Sequence, residues 1–213
     1  TRKHRGRHRP HTGDVRKGIK QVKSESFLSR IRDALAIDAA KAVAAGSRLA
    51  GHQGTSITGK AALSLSPAVL ADLAGQVRGK TFAVCGTNGK TTTTTLMGEI
   101  MKAHLGADKV FVVGNIGNPY TLEVTRTAPD TVTVAEISSF QLETVHQFKP
   151  AVSAILNITP DHLNRHHTME AYAAAKEAVA CNQDERDVCV LNAENAYTAD
   201  FAGRCPAKAV LFS

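Results

Sequence analysis

The sequence predicts an α/β fold with a mostly parallel sheet covered by helices on both faces, and three observations lead there. Short runs rich in Val and Ile recur at 81–84, 110–113, 131–135, 151–156, 187–191 and 208–212, too continuously apolar for strands wetted on one side. Helical patterns separate them, at 91–104, 120–126, 139–146, 168–181 and 194–201, and strands alternating with helices build parallel pairs. Between the first run and the first helix lies Val84-Cys85-Gly86-Thr87-Asn88-Gly89-Lys90-Thr91-Thr92, a glycine loop in a strand–loop–helix setting.

The chain begins with a stretch that cannot build a core. Nine of the 26 Lys and Arg residues, but one of the 19 Asp and Glu, fall in residues 1–24, leaving 17 basic against 18 acidic residues beyond them. The formal charge of +7 therefore belongs to the arm. With almost no apolar side chains there, burial cannot repay ordering entropy, and a disordered basic arm is expected. Such an arm can tether nucleic acid. Without interleaved aromatic residues a solvated tail is the plainer reading, and nucleic acid is the less expected partner.

Residues 25–80 read as a short helical segment. Phe27, Leu28, Ile31, Leu35, Ala39 and Val43 recur at three-to-four spacing, which predicts a helix over 26–45 with one apolar face. A glycine and hydroxyl loop follows at 52–59, then an apolar stretch at 61–65. Ser66-Pro67 reads as the cap and first position of another helix, ending near Gly75 or Gly79. Residues 81–213 are the α/β domain.

With 213 residues, 43% of them hydrophobic, the chain has the apolar content for one medium domain plus an extension. No run approaches ~18 consecutive apolar residues and no secretory leader pattern opens the chain, so no membrane insertion and a cytoplasmic location are expected. The first residue is Thr rather than Met, as in a fragment or a processed chain. Cys85, Cys181, Cys189 and Cys205 form no CxxC pair, so reduced thiols are expected rather than a zinc site.

The glycine loop is built for phosphate. Gly86 and Gly89 let the backbone turn tightly and aim N–H groups inward, and the helix start adds its positive dipole end. Thr87, Asn88 and Thr92 complete the cradle, Lys90 can reach terminal phosphates, and the Thr91 hydroxyl suits magnesium, which makes the expected sheet P-loop-type. The full Walker pattern places glycine at position 84, where this chain has Val84, so the match is to the shorter GTNGKT form.

Ligands of parallel sheets gather at the carboxyl ends of the strands. Three polar clusters lie just past predicted strands: Gly114 to Pro119, Glu136 to Gln141, and Asn157 to His162. Glu136 ends a strand fit for burial, which puts its carboxylate near the phosphates as a magnesium ligand; a helix-capping carboxylate is the other reading. His162, at the same rim, is a metal ligand or a structural partner of Asp161. His166 and His167 read as solvated neighbours. Lys176, preceded by three alanines, reads as a surface lysine from spacing alone.

Five motifs stand in one order: GTNGKTTTTT at 86–95, GNIGNP at 114–119, EISSFQLET at 136–144, LNITPDHLNRH at 156–166 and YAAAK at 172–176. Together they resemble the Mur ligases of peptidoglycan synthesis, over the first part of that family's central ATP-binding domain. Within the family they resemble the branch that joins D-glutamate to UDP-N-acetylmuramoyl-L-alanine. The resemblance implies an ATP-dependent, amide-bond-forming ligase. A substrate carboxylate attacks the γ-phosphate of ATP, and the incoming amine displaces the acyl phosphate.

It further implies roles for single residues. Lys90 would hold the β- and γ-phosphates, and Thr91 with Glu136 one Mg2+. His162 and Lys176, the latter N-carboxylated, would place a second, which makes Lys90, His162 and Lys176 the catalytic set. Asn115, with Ser138 and Gln141, would contact substrate. The carbamate is chemically apt, because carbon dioxide turns a cationic amine into the anionic oxygen ligand a hard cation prefers.

The chain also departs from that branch. Residues 1–80 show no strand followed by GxGxxG, the mark of its N-terminal nucleotide-sugar domain. The run GTSITGKAALSLSPAVLADLA at 54–74 instead resembles the start of MurT-like subunits of lipid II isoglutaminyl synthase, which implies a glutamine-amidotransferase partner. Those subunits carry a four-cysteine zinc ribbon and lack the DH histidine. Here His162 is present and CxxC is not, so the central motifs favour the D-glutamate branch. The chain stops at Ser213, before the family's C-terminal domain with its amino-acid site, so turnover by this stretch alone is not expected. A non-catalytic nucleotide-binding module with a nucleic-acid-binding arm is the alternative from outside the enzymes.

Overall fold

The computed structural model describes residues 79–213 together with Leu35, which is helical and exposed. The expected arm at 1–24 and the segments at 52–59, 61–65 and 66–75 lie outside the described residues, as does the 26–45 helix apart from Leu35.

Among the described residues six parallel strands form one sheet: β1 (Lys80–Cys85), β2 (Val110–Gly114), β3 (Val132–Glu136), β4 (Val152–Ile155), β5 (Val188–Asn192) and β6 (Lys208–Phe212). Their order is β2-β3-β1-β4-β5-β6, so β1 is central and the chain crosses it between β3 and β4. That reversal makes the carboxyl end of β1 the topological switch point, the place where ligands of such sheets bind. All six strands fall within two residues of their predicted places, because burial on both faces gives each a continuous apolar run.

Among residues 79–213 six helices flank the sheet: α1 (Lys90–Leu105), α2 (Tyr120–Glu123), α3 (Ser139–Leu142), α4 (Leu163–His166), α5 (Met169–Glu177) and α6 (Ala196–Ala202). Strand alternation sorts the core. Val110, Val132 and Val134 meet Met97, Met101 and Leu105 of α1, while Ala83, Cys85, Ile155, Cys189 and Leu191 face Leu142, Tyr172, Ala173 and Phe201 opposite. α1 lies so close to the sheet that a Cβ on Gly98 would sit 2.4 Å from Val112 Cγ2. β2 is buried, whereas β6 leaves Val210, Leu211 and Phe212 exposed on the other margin.

The helices depart from expectation in length. The 139–146 helix stops at Leu142: the Thr144 hydroxyl donates to the Gln141 carbonyl (3.0 Å), and the next residue, Glu143, is forked by Arg165. The 120–126 and 168–181 helices end in 3-10 turns at Val124–Arg126 and Ala178–Ala180, and the 194–201 helix begins at Ala196 behind an Asn195 cap. α4 was not expected; it is one turn bounded by His162 (φ 52°) and His167 (φ 68°). Among the described residues no helix is long and apolar enough to cross a membrane.

Candidate active site

β1 delivers Gly86 to the switch point, and α1 starts four residues later behind Gly89, whose φ of 80° an L side chain tolerates poorly. No side chain caps α1. Its first backbone bond runs from Thr93 N–H to Gly89 C=O (3.0 Å), so the amides of the first turn have no acceptor within the helix. A 16-residue helix with that open start presents donors and a positive dipole end to an anion. The Lys90 ammonium folds back and donates to the Thr87 carbonyl (2.7 Å).

Glu136 ends β3 beside the loop, in register with Val84 of β1 and Gly114 of β2. It is 2% exposed. Thr91 Oγ1 donates to one carboxylate oxygen (2.8 Å) and Asn115 Nδ2 to the other (3.1 Å). Among the described residues no cationic side chain pairs with it. A buried carboxylate compensated only by neutral donors is costly, and a cation is the group that would offset the cost.

Lys176 approaches from the other side. Its side chain, expected on the surface from spacing alone, is 2% exposed: α5 packs this face on the sheet, and Ala173, one turn earlier, is buried beside it. The ammonium donates to Gly86 C=O (2.8 Å) and lies 4.5 Å above the Tyr172 ring. Burial holds it below the usual lysine value. The Tyr172 hydroxyl lies 3.3 Å from Thr87 Oγ1, and burial raises its phenol. Below the loop the Cys85 thiol is pushed up to about 12 by burial.

His162 stands at the start of α4 with its side chain 48% exposed and Nε2 3.4 Å from Asp161 Oδ2. Its ring lies 4.9 Å from Phe140 and 6.5 Å from Tyr172. His166, expected in solvent, is buried: Nε2 is 3.0 Å from Ser139 Oγ, Nδ1 is 3.5 Å from Glu143 Oε1, and its ring stacks on Phe140. The one-turn helix α4 rotates it inward, a geometry that linear spacing does not reveal. His167 is exposed, as expected.

Gly86, Thr87, Lys90 and Thr91 of the loop, Glu136, Asn115 and Lys176 are thus tied together by direct contacts, Thr92 follows in the first turn of α1, and His162 stands one ring away through Tyr172. Ser138 and Gln141 bind each other in a capping box. The Ser138 N–H donates to Gln141 Oε1 (2.9 Å), and the Gln141 N–H to Ser138 Oγ (3.3 Å). An apolar groove of ≈ 660 Å³ starts at Gly114, Glu136 and Gln141 and runs down the sheet past Tyr120 and Phe148 to Lys80 and Lys149. Tyr172 and Asn157 both touch the loop, although the sequence gives neither a role of its own: Asn157 is marked only as the start of the rim cluster just past an apolar run, and Tyr172 only as part of YAAAK.

Among the described residues no group of three or more His, Cys, Asp or Glu side chains is placed to hold a metal ion by itself. A bound magnesium would draw on mixed donors: the Glu136 carboxylate, the Thr91 hydroxyl already bonded to it, and phosphate oxygens. That hard-oxygen set fits the ion.

A parallel sheet with this glycine loop at its switch point, leading into the open start of α1, defines a P-loop-type α/β class. The Mur ligase middle domain matches residues 84–213, and the chain belongs to the Mur ligase family. It is 64% identical over 136 residues to the UDP-N-acetylmuramoylalanine–D-glutamate ligase of Lachnospira eligens, which covers 64% of this chain and 30% of the relative. It is 61% identical over 136 residues to the enzyme of that name from Lachnoclostridium phytofermentans, with the same shares of 64% and 30%. The chain therefore spans about 30% of the length of these curated relatives. In fold it is similar to MurF from Thermotoga maritima in complex with ADP, with a TM-score of 0.57 and 18% identity over 71% of this chain and 36% of that one.

Proposed function

We propose that the chain supplies the ATP-binding centre of a ligase that joins D-glutamate to UDP-N-acetylmuramoyl-L-alanine in peptidoglycan biosynthesis. The observation that carries this reading is the 64% identity to a ligase of that name. We divide the chain into the arm at 1–24, the helical segment at 25–80 and the central ATP-binding domain at 81–213, and place the work in the cytoplasm, where ATP and a nucleotide-linked substrate are at hand.

The roles follow from the chemistry of each side chain. The α1 start and loop amides hold the phosphates, and Lys90 exchanges the Thr87 carbonyl for phosphate oxygens. Glu136 and Thr91 would hold one Mg2+, whose charge would offset the negative charge of the transferring phosphoryl group. His162 and, once carboxylated, Lys176 would hold a second. Lys176 is buried with a lowered pKa, so its neutral amine is populated more than that of a solvated lysine and adds carbon dioxide as its proton leaves. Asn115 fixes the Glu136 carboxylate by donating to it, Gln141 lines the groove beside Glu136 with Ser138 bonded to it, and the three would contact the muramoyl substrate. That carboxylate attacks the γ-phosphorus, ADP departs, and the amine of D-glutamate displaces phosphate from the acyl phosphate.

The test is phosphate release from ATP by the whole protein that carries this domain, supplied with UDP-N-acetylmuramoyl-L-alanine and either D-glutamate or ammonia. Release that requires D-glutamate and disappears in Lys90→Ala is expected. Release with ammonia alone would overturn the reading in favour of the amidotransferase-partnered alternative.

A further inference from the structure

We infer that Asn157 is the positioning residue of the phosphate loop: its carboxamide pins both peptides flanking Asn88, holding the cradle in its anion-binding shape before nucleotide arrives. The inference rests on the proposed ATP reading.

An irregular loop between strand and helix has no ladder of its own, so its backbone groups need partners from elsewhere. Asn157, two residues past β4, supplies them. Its Oδ1 accepts from Asn88 N–H (2.8 Å) and Thr87 N–H (3.2 Å), and its Nδ2 donates to Asn88 C=O (3.1 Å). The backbone continues the join: Thr87 N–H also donates to Asn157 C=O (2.9 Å), and Leu156 N–H to Cys85 C=O (3.0 Å).

The orientation matters more than the count. In a trans peptide the C=O and the following N–H point in opposite directions. With the Asn88 carbonyl turned toward Asn157, the Gly89 N–H is turned away from it, and the loop enters α1 through the Gly89 backbone at φ 80°. The carboxamide thus satisfies the outer side of the loop and leaves the open amides of α1 for the ligand. Preorganisation of this kind lowers the ordering cost of binding.

The same connection carries the rest of the site. Thr87 Oγ1 donates to Thr159 C=O (3.2 Å) and accepts from Thr159 N–H (3.0 Å), three residues before His162. The loop's position and that of the His162 segment are therefore set together.

The experiment compares Asn157→Ala with Asn192→Ala. Asn192 donates to Leu156 C=O (3.1 Å) in the same connection, and its other hydrogen bonds outside the sheet go to Glu194, Asn195 and Thr198 rather than to the loop. Calorimetric titration with Mg-ATP and amide hydrogen exchange of peptides covering 86–92 are measured on the 213-residue chain, alongside melting of each variant. Asn157→Ala is expected to weaken ATP about ten- to a hundredfold and to speed loop exchange at least tenfold, and Asn192→Ala to leave both within twofold while lowering the melting temperature. Unchanged loop exchange in Asn157→Ala overturns the inference whatever the nucleotide result, and so does equal weakening by Asn192→Ala. If the wild-type chain shows no ATP binding while Asn157→Ala still frees the loop, the ATP reading fails and the loop-fixing role stands.

Discussion

Gly114 and Gly117 offer a matched pair that separates strain from collision at the edge of the site. Their φ angles are nearly equal, +98° and +95°. A Cβ added to Gly117 would meet no heavy atom within 4 Å, whereas one on Gly114 would lie 2.1 Å from the backbone oxygen of Glu136, over an ångström short of van der Waals contact. That oxygen accepts the Asn115 N–H at 2.9 Å, so relief must come from the end of β3 and not from a flexible side chain. Gly117→Ala should cost the left-handed strain alone, about 1–2 kcal/mol. Gly114→Ala should add an overpacking cost of about 1–3 kcal/mol. Thermal unfolding followed by circular dichroism resolves the difference, since each kcal/mol shifts the midpoint by roughly 2–4 °C in a chain of this size. Equal midpoints, or a lower one for Gly117→Ala, would refute the placement of Glu136 against Gly114.

Three further outcomes are expected. Gly98→Ala gains about 1 kcal/mol of helix propensity but meets Val112 Cγ2 at 2.4 Å, so it should be net neutral to destabilising by up to about 2 kcal/mol; with Val112→Ala in denaturant melts the two changes should be strongly non-additive, and purely additive losses contradict it. Burial holds His166 below 6.5, as do Arg165, His162 and Lys176, while Glu143 opposes them. The unfolded chain then takes up the proton first on acidification, so stability is lost as pH falls from about 6.5 through the folded value; urea midpoints of His166→Phe should lose part of that slope, and an unchanged slope contradicts it. Cys181 is exposed, whereas Cys85 and Cys189 are buried with thiols raised to about 12, so a disulfide reagent should label Cys181 in the native chain and those two only on unfolding. Native labelling of Cys85 at the Cys181 rate would contradict this burial.

The strands were legible in the sequence because parallel strands buried on two faces leave no polar interruption, and the loop because its residue types have few other uses. The short helices were not. Four residues, as in α3 and α4, give no periodicity to detect, and what sets their ends is tertiary: Arg165 on Glu143, and positive φ at two histidines. The burial of His166 follows from α4 and was hidden with it. Lys176 sits among small residues that look solvated on paper, yet α5 lays that face on the sheet, and only the family resemblance marked it. Asn115 was legible as a rim residue, though its bond is to Glu136.

The two margins of the sheet differ in a way that bears on handling the protein. β2 ends the sheet as a buried strand, while β6 ends it with Val210, Leu211 and Phe212 in solvent and one row of backbone groups facing away from β5. A bare apolar margin of that kind templates strand addition between molecules. When this 213-residue stretch is handled by itself, Leu211→Lys charges that margin away from the glycine loop, and size-exclusion chromatography of the two forms checks for pairing along β6.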